Sequence, residues 1–262
     1  MSAIAPPPLT GLCSVSFRTS SCEDIVALAR RAGLTAIEWG TDIHVPPGDT
    51  ERAAHVAQLC ANASLITPTL GSYLRCEEDD DVALAGTLQV ARILGVERVR
   101  VWAGRLGSEQ ACATHRAEIA ARLARYCDAA CHAGIRIALE YHPDTLTDTA
   151  RSTAELLDRV DRPSLGTYWQ PTPALSLADA LGQIERIGPR LTDVHVFHWL
   201  AGKHRQPLET GRAFWAGALD YLRRELPANG TRRFAFLEFV RDDDPDQLVR
   251  DARTLNSLCA SG

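Results

Sequence analysis

Residues 98–141 read RVRVWAGRLGSEQACATHRAEIAARLARYCDAACHAGIRIALEY, and the order of elements in this stretch decides the fold. Arg98 to Trp102 is a short β-branched and aromatic run. After a loop, Ala, Leu and Arg recur at helical spacing from about Glu109 to His132. Gly134 suits the residue just past a helix end, and Ile135 to Tyr141 is the next apolar run. Strand, helix and strand in succession imply parallel pairing, because parallel neighbours need a crossover and a helix supplies it.

The same unit recurs on both sides. Upstream runs are Leu12 to Phe17, Thr35 to Trp39 and Leu65 to Leu70. Downstream runs are Leu165 to Trp169, Thr192 to Phe197 and Arg233 to Val240. Each is followed by a helix-period stretch, several with Ser, Thr or Asp at the N-cap position. Near-continuous apolar strands such as FAFLEFV fit a sheet covered on both faces. Eight units in about 250 residues is the count and size of a closed (β/α)8 TIM barrel. An open doubly wound sheet would show a glycine-rich phosphate turn after its first strand; here that place reads SFRTSSCED. The reading is a single-domain α/β barrel over residues 11–262, with residues 1–10 as a disordered N-terminal segment.

Composition narrows the function. The 262 residues are 45% hydrophobic and 23% charged, which excludes disorder as the dominant state. A formal net charge of −5 argues against a nucleic-acid binder, which needs a basic face. No apolar run approaches the ~20 residues of a membrane span, and the N-terminus lacks a secretion signal. The eight cysteines then read as buried reduced thiols in a cytoplasmic protein. Assembly into a homo-oligomer stays open.

Chemistry in such a barrel sits at the C-terminal strand ends. Glu140 and Glu238 lie inside strongly apolar strands, where a carboxylate is costly unless paired or bound to a metal. Either alone reads as well as a core acid bonded to an arginine. Together with His195 on the strand between them and the amide of Gln170, they read as an oxygen-rich divalent-metal site. His142 shares the face of Glu140. His44 and His198 lie in or near mouth loops, with loop or surface roles as the alternative. Trp39, Trp102, Trp169 and Trp199 fall near strand ends, either as core filling or as an aromatic wall for substrate.

With these residues in place, the chain resembles the xylose-isomerase-like TIM barrels, the sugar phosphate isomerase/epimerase superfamily. The resemblance covers nearly all of the chain after the first ten residues. That family carries a Glu ending strand five, an Asp ending strand six, a His on strand seven and a Glu on strand eight, all on one divalent metal. Those positions fall on Glu140, Gln170, His195 and Glu238. Gln170 departs from the pattern, as does Pro173, where relatives often have a substrate-binding His.

The resemblance implies an isomerase or epimerase of a sugar or keto-sugar. Glu140 and Glu238 would move a proton through an enediolate, on Mn²⁺ first, with Mg²⁺, Co²⁺ and Zn²⁺ as alternatives. Expected substrate contacts are His44, Trp102, His142, Trp169, His198, Lys203 and Arg205. The alternative activity is a lyase, either a dehydratase or a 3-keto-glycoside-cleaving enzyme. A non-catalytic ligand-binding barrel is the remaining reading. An endonuclease IV-like activity is disfavoured by the acidic charge and the single ligand set.

Overall fold

The computed structural model describes residues 6–77, 81–226 and 232–260. Eight strands pair in parallel and close on themselves: β1 (Leu9–Cys13), β2 (Ala36–Gly40), β3 (Thr69–Gly71), β4 (Arg98–Val101), β5 (Arg136–Leu139), β6 (Leu165–Trp169), β7 (Leu191–Val196) and β10 (Phe234–Leu237). β1 closes the ring by pairing with β2 on one side and β10 on the other. The intervening helices are α1 (Cys22–Arg31), α2 (Thr50–Asn62), α3 (Asp81–Leu94), α4 (Ala113–His132), α5 (Ala150–Val160), α6 (Leu177–Ile187), α7 (Arg212–Glu225) and α8 (Pro245–Ala260). The chain is therefore a (β/α)8 barrel, as its periodicity predicts.

Local chemistry sets the helix ends. Ser21 caps α1 in a capping box with Asp24, and Cys22, Ile25, Val26 and Ala29 form its buried stripe. Asp49, Thr149 and Ser176 each accept a backbone N–H at the start of α2, α5 and α6. Past α4, Gly134 takes φ +73°, a conformation open to glycine and costly for a side chain. Outward strand residues and inward helix faces form one apolar layer around the barrel. No helix among the described residues is long and apolar enough to cross a membrane.

Three departures from the sequence reading have physical causes. The first strand begins at Leu9, inside the segment expected to be disordered, whose residues 1–5 lie outside the described residues; it stops at Cys13, and Ser14–Phe17 form a 3-10 turn. That turn is useful: the Ser14 hydroxyl accepts the Gly40 N–H and the Ser16 hydroxyl accepts the Phe239 N–H, tying off two neighbouring strands. The third run shortens to Thr69–Gly71, because Pro68 has no N–H to give the ladder. A hairpin, β8 (His198–Leu200) against β9 (His204–Gln206), rises where the sequence suggested only a loop. All eight cysteines are free; six are buried as expected, but Cys112 and Cys131 are exposed.

Charges are buried low in the barrel lumen. Arg98 donates from Nε to Asp193 Oδ2 (2.9 Å) and from Nη2 to Asp193 Oδ1 (3.2 Å), both side chains fully enclosed. Asp193 Oδ1 also accepts the Phe234 N–H, while Tyr168 donates to Thr69 Oγ1. Removing one partner of a buried pair strands the other. Asp193→Ala should therefore lower stability by about 3–5 kcal/mol in urea unfolding; a loss below about 1 kcal/mol would show that the pair is not what fastens the lumen floor.

Candidate functional site

Alternation along each strand decides what enters the lumen. On β4, Val99 and Val101 face the helices, while Arg98, Arg100 and Trp102 ascend the inside. β5 leads into Glu140 and His142 just past its end, β6 carries Tyr168 and leads into Gln170, and β7 carries Asp193 and His195. Glu38 enters from β2 and Glu238 from the end of β10. Arg98, Arg100, Glu38, Glu140, Gln170, Asp193, His195 and Glu238 are all buried.

His195 is the centre. Its Nδ1 stands 2.8 Å from Gln170 Oε1, 3.5 Å from Glu238 Oε2 and 3.9 Å from Glu140 Oε1. Gln170 Nε2 faces Glu140 Oε1 at 3.4 Å. The other ring nitrogen, Nε2, faces Glu38 Oε1 at 3.4 Å. The Tyr168 ring meets the imidazole edge-on at 5.1 Å. Burial opposes a charged ring, but Glu238 and Glu38 outweigh it and hold the His195 pKa above its ordinary value.

Arg100 links two of the carboxylates. Its Nη1 contacts Glu140 Oε2 and its Nε lies 3.4 Å from Glu38 Oε1. Trp102 also donates its indole N–H to Glu140 Oε2. One oxygen of Glu140 is thus engaged by two donors while Oε1 faces His195. Burial pushes the Glu38 carboxyl up, but Arg100 and then His195 overcome it and bring its pKa down to about 2. Gly71 makes room for the pair: a Cβ there would lie 2.7 Å from Arg100 Nη2 and 2.9 Å from Glu38 Oε1.

The donor set fits a divalent ion. Neighbouring ligands on an ion with bonds of about 2.1 Å stand roughly 3–3.5 Å apart. Of the oxygens around Nδ1, those of Gln170 (2.8 Å) and Glu238 (3.5 Å) lie near that spacing, and Glu140 Oε1 (3.9 Å) stands farther out. Cys13, His195 and Glu238 also form a group with donor atoms within 4.8 Å of one another. Burial, then Glu38 and Glu238, push the Cys13 thiol well above its usual pKa, and its Sγ donates to Glu38 Oε1 at 3.8 Å.

Above this floor opens a cavity of about 340 Å³. Its walls are largely apolar: Val15, Tyr73, Trp102, Phe197, Trp199 and Phe239, with three prolines. Trp102 is packed on several sides, with the His142 ring stacked at 4.5 Å and the Arg75 guanidinium 3.8 Å from its centroid. His142 Nδ1 lies 2.6 Å from the Pro143 carbonyl. A carbonyl only accepts, so Nδ1 carries the proton and Nε2 is the basic nitrogen. Burial lowers the His142 pKa, which keeps the ring neutral. Lys203, between β8 and β9, reaches the rim.

The structure thus brings together Glu140, Gln170, His195 and Glu238 with Trp102, His142 and Lys203. Four other expected contacts lie elsewhere. His44 is buried beside the cavity's support, bonded to the Ser14 hydroxyl at 2.9 Å and edge-on to Trp39. Trp169 points outward, bonding Gln183 and packing on Trp215, because its neighbours Tyr168 and Gln170 take the inner face. His198 is turned by the hairpin against Gly211. Arg205 stacks over Phe239 and Trp199 and bonds Asp243, supporting the wall from behind. Of the four tryptophans, Trp102 and Trp199 line the cavity and Trp39 does not. Glu38 and Arg100 went unnoticed in the sequence, although a charge inside an apolar strand is the signal that marks Glu140 and Glu238.

Comparison with known proteins agrees with the geometry. Residues 26–258 match the family model described as the xylose isomerase-like TIM barrel. The 3-dehydroshikimate dehydratase of Bacillus anthracis is 25% identical over 273 aligned positions, covering 94% of this chain and 96% of the relative. Among solved structures, the probable 3-DHS dehydratase involved in petrobactin synthesis in Bacillus anthracis superposes with a TM-score of 0.78 at 22% identity, covering 95% of this chain and 98% of that one. An L-ribulose 3-epimerase gives 0.75 at 21% identity, covering 97% and 95%. These relatives are enzymes, and this chain belongs to the xylose isomerase-like TIM barrel family.

Proposed function

We propose that this chain is a divalent-ion-dependent lyase that removes water from a cyclic hydroxy ketone bearing a carboxylate. The observation that carries the reading is the asymmetry between the two glutamates under an aromatic-walled cavity. An epimerase needs two bases on opposite faces of one carbon. Glu140 has one oxygen engaged by Arg100 and Trp102 and suits a ligand better than a base. Glu238 has no arginine or indole bonded to it among the described residues; it stands 3.5 Å from the His195 ring, with Cys13 nearby. Elimination needs one base near the carbon. Flat apolar walls also suit a ring better than an open-chain polyol, whose hydroxyls would face Phe197, Trp199 and Phe239 without partners. The 3-dehydroshikimate dehydratase, full length at 25% identity, supports the same class.

Glu140, Gln170, His195 and Glu238 would hold the ion, which when bound polarises a carbonyl oxygen and acidifies the neighbouring C–H. An oxygen-rich set with one imidazole favours Mn²⁺. His142 Nε2 takes the carbon-bound proton. It returns that proton to the hydroxyl on the adjacent carbon, the C–O bond breaks, and water leaves as the C=C bond forms. Lys203 at the rim and Arg100 in the floor supply cations for a carboxylate. Trp102 stacks on His142 and keeps its ring in place.

The second reading is the isomerase or epimerase of a keto-sugar. It is favoured by the presence of two carboxylates, Glu140 and Glu238, at the same His195 nitrogen. Incubation in heavy water with 3-dehydroshikimate and with a ketose panel separates the two. Elimination shows as loss of water and near-UV absorbance of an aromatic product. Epimerisation shows as carbon-bound deuterium in an unchanged formula.

His142→Gln should cut turnover by about 10²–10⁴-fold while the protein stays folded. Glu238→Gln should cut it comparably through loss of the ion. Near-native turnover in His142→Gln would remove that residue from the proton path. Gln170→Asp should make the ion-free protein less stable, since a carboxylate would replace the amide that donates to Glu140. It should also tighten Mn²⁺ binding in a titration. Unchanged affinity would show that position 170 does not touch the ion.

A further inference from the structure

The two nitrogens of His195 have opposite surroundings. Nδ1 faces Gln170, Glu238 and Glu140, whereas Nε2 faces Glu38 Oε1 at 3.4 Å. Glu38 is 2% exposed and His195 fully enclosed. Three buried polar atoms in this corner have no aligned hydrogen-bond partner: Glu38 Oε2, His195 Nε2 and Arg100 Nε. Such atoms are costly unless they serve one another or a ligand. His195 Nε2 and Arg100 Nε both face Glu38 Oε1 at 3.4 Å, and Gly71 leaves space for Arg100 and that oxygen.

A neutral imidazole carries one proton, and the acceptor beside it decides which nitrogen keeps it. An ion at Nδ1 takes the place of the proton now shared with Gln170. Nε2 must then keep its own proton, and the acceptor available to it is Glu38. The geometry points to Glu38 as a positioning residue of the ion site: its carboxylate accepts the Nε2–H of His195 and so presents the Nδ1 lone pair to a divalent ion. Arg100, set between Glu38 and Glu140, orients both carboxylates: its Nε faces the same Glu38 Oε1 that faces His195 Nε2, and its Nη1 holds Glu140 Oε2 while Oε1 is left toward His195 Nδ1. Ligating histidines held by a carboxylate in this way are more basic and fixed in orientation, and loss of that carboxylate typically costs about 10–100-fold in metal affinity.

The inference rests on the ion reading, and one set of measurements tests the two separately. Purified full-length protein, stripped of metal, is titrated with Mn²⁺ as wild type, Glu38→Gln and Glu38→Asp, with circular dichroism to check the fold. The expected result is tight binding by the wild type, about 10–100-fold weaker binding by Glu38→Gln, and partial recovery in Glu38→Asp. Nitrogen-15 NMR of histidine-labelled, Mg²⁺-loaded wild type reads the tautomer directly, without any variant, and should show Nε2 protonated and Nδ1 bound. Equal affinities in wild type and Glu38→Gln, or an Nε2 without its proton, overturn the role of Glu38 and leave the ion site standing. A wild type that binds no divalent ion overturns the ion reading and this inference with it.

Discussion

Burial of charge inside the barrel is the constraint on which the site depends. A carboxylate moved from water into the lumen loses solvation worth several kcal/mol and must recover it from neighbours. Glu38 and Glu140 do so through one guanidinium. Arg100 stands between them on the adjacent face of β4, with Nε toward one and Nη1 on the other. A lysine would bring one point of charge; the planar fork can serve two acids at once. Gly71 on β3 is part of the same solution, since any side chain there would occupy the space of the guanidinium and the Glu38 carboxylate.

From that pairing the rest of the site takes its orientation. Glu140, held at Oε2 by Arg100 and Trp102, can direct only Oε1 to the centre. Trp102, fixed by that bond, becomes the shelf on which His142 stacks and over which Arg75 lies. The chain of contacts runs from Arg100 on β4 through Glu140 and Trp102, just past the ends of β5 and β4, to His142 and Arg75 in the loops of the cavity wall. Positioning of this kind favours one geometry of bound substrate and limits the freedom that a reaction would otherwise have to remove.

The barrel was legible because its signal is repeated eight times: each apolar run and each helical period supports its neighbours. Glu140, His195 and Glu238 were legible for a local reason, a polar residue where an apolar one belongs. Glu38 and Arg100 obey the same rule, but in AIEWG and RVRVW a short two-residue period does not say which face is the lumen. The face of each tryptophan was not legible. Trp169 and Trp102 both end strands, yet one turns outward and the other inward, and the distinction depends on which residue of a two-residue period faces the axis. The hairpin β8–β9 was not legible because its strands, HWL and HRQ, are three residues each, too short to show a period.

The departure at Gln170 acquires a meaning once the whole lumen is counted. Glu38, Glu140 and Glu238 bring three negative charges to the upper floor, and Arg100 brings one positive. In the proposed site a divalent ion with a neutral His195 would balance this set. An aspartate at position 170, as in the resembling family, would leave an excess negative charge beside the anion of the proposed substrate. The amide still offers an oxygen to the centre and, from its other end, a donor to Glu140. Arg100 and Gln170 are therefore coupled choices. A guanidinium in the floor and one carboxylate fewer around the ion both shift the local potential toward positive, which favours a negatively charged substrate and the negative charge that develops as a proton leaves carbon.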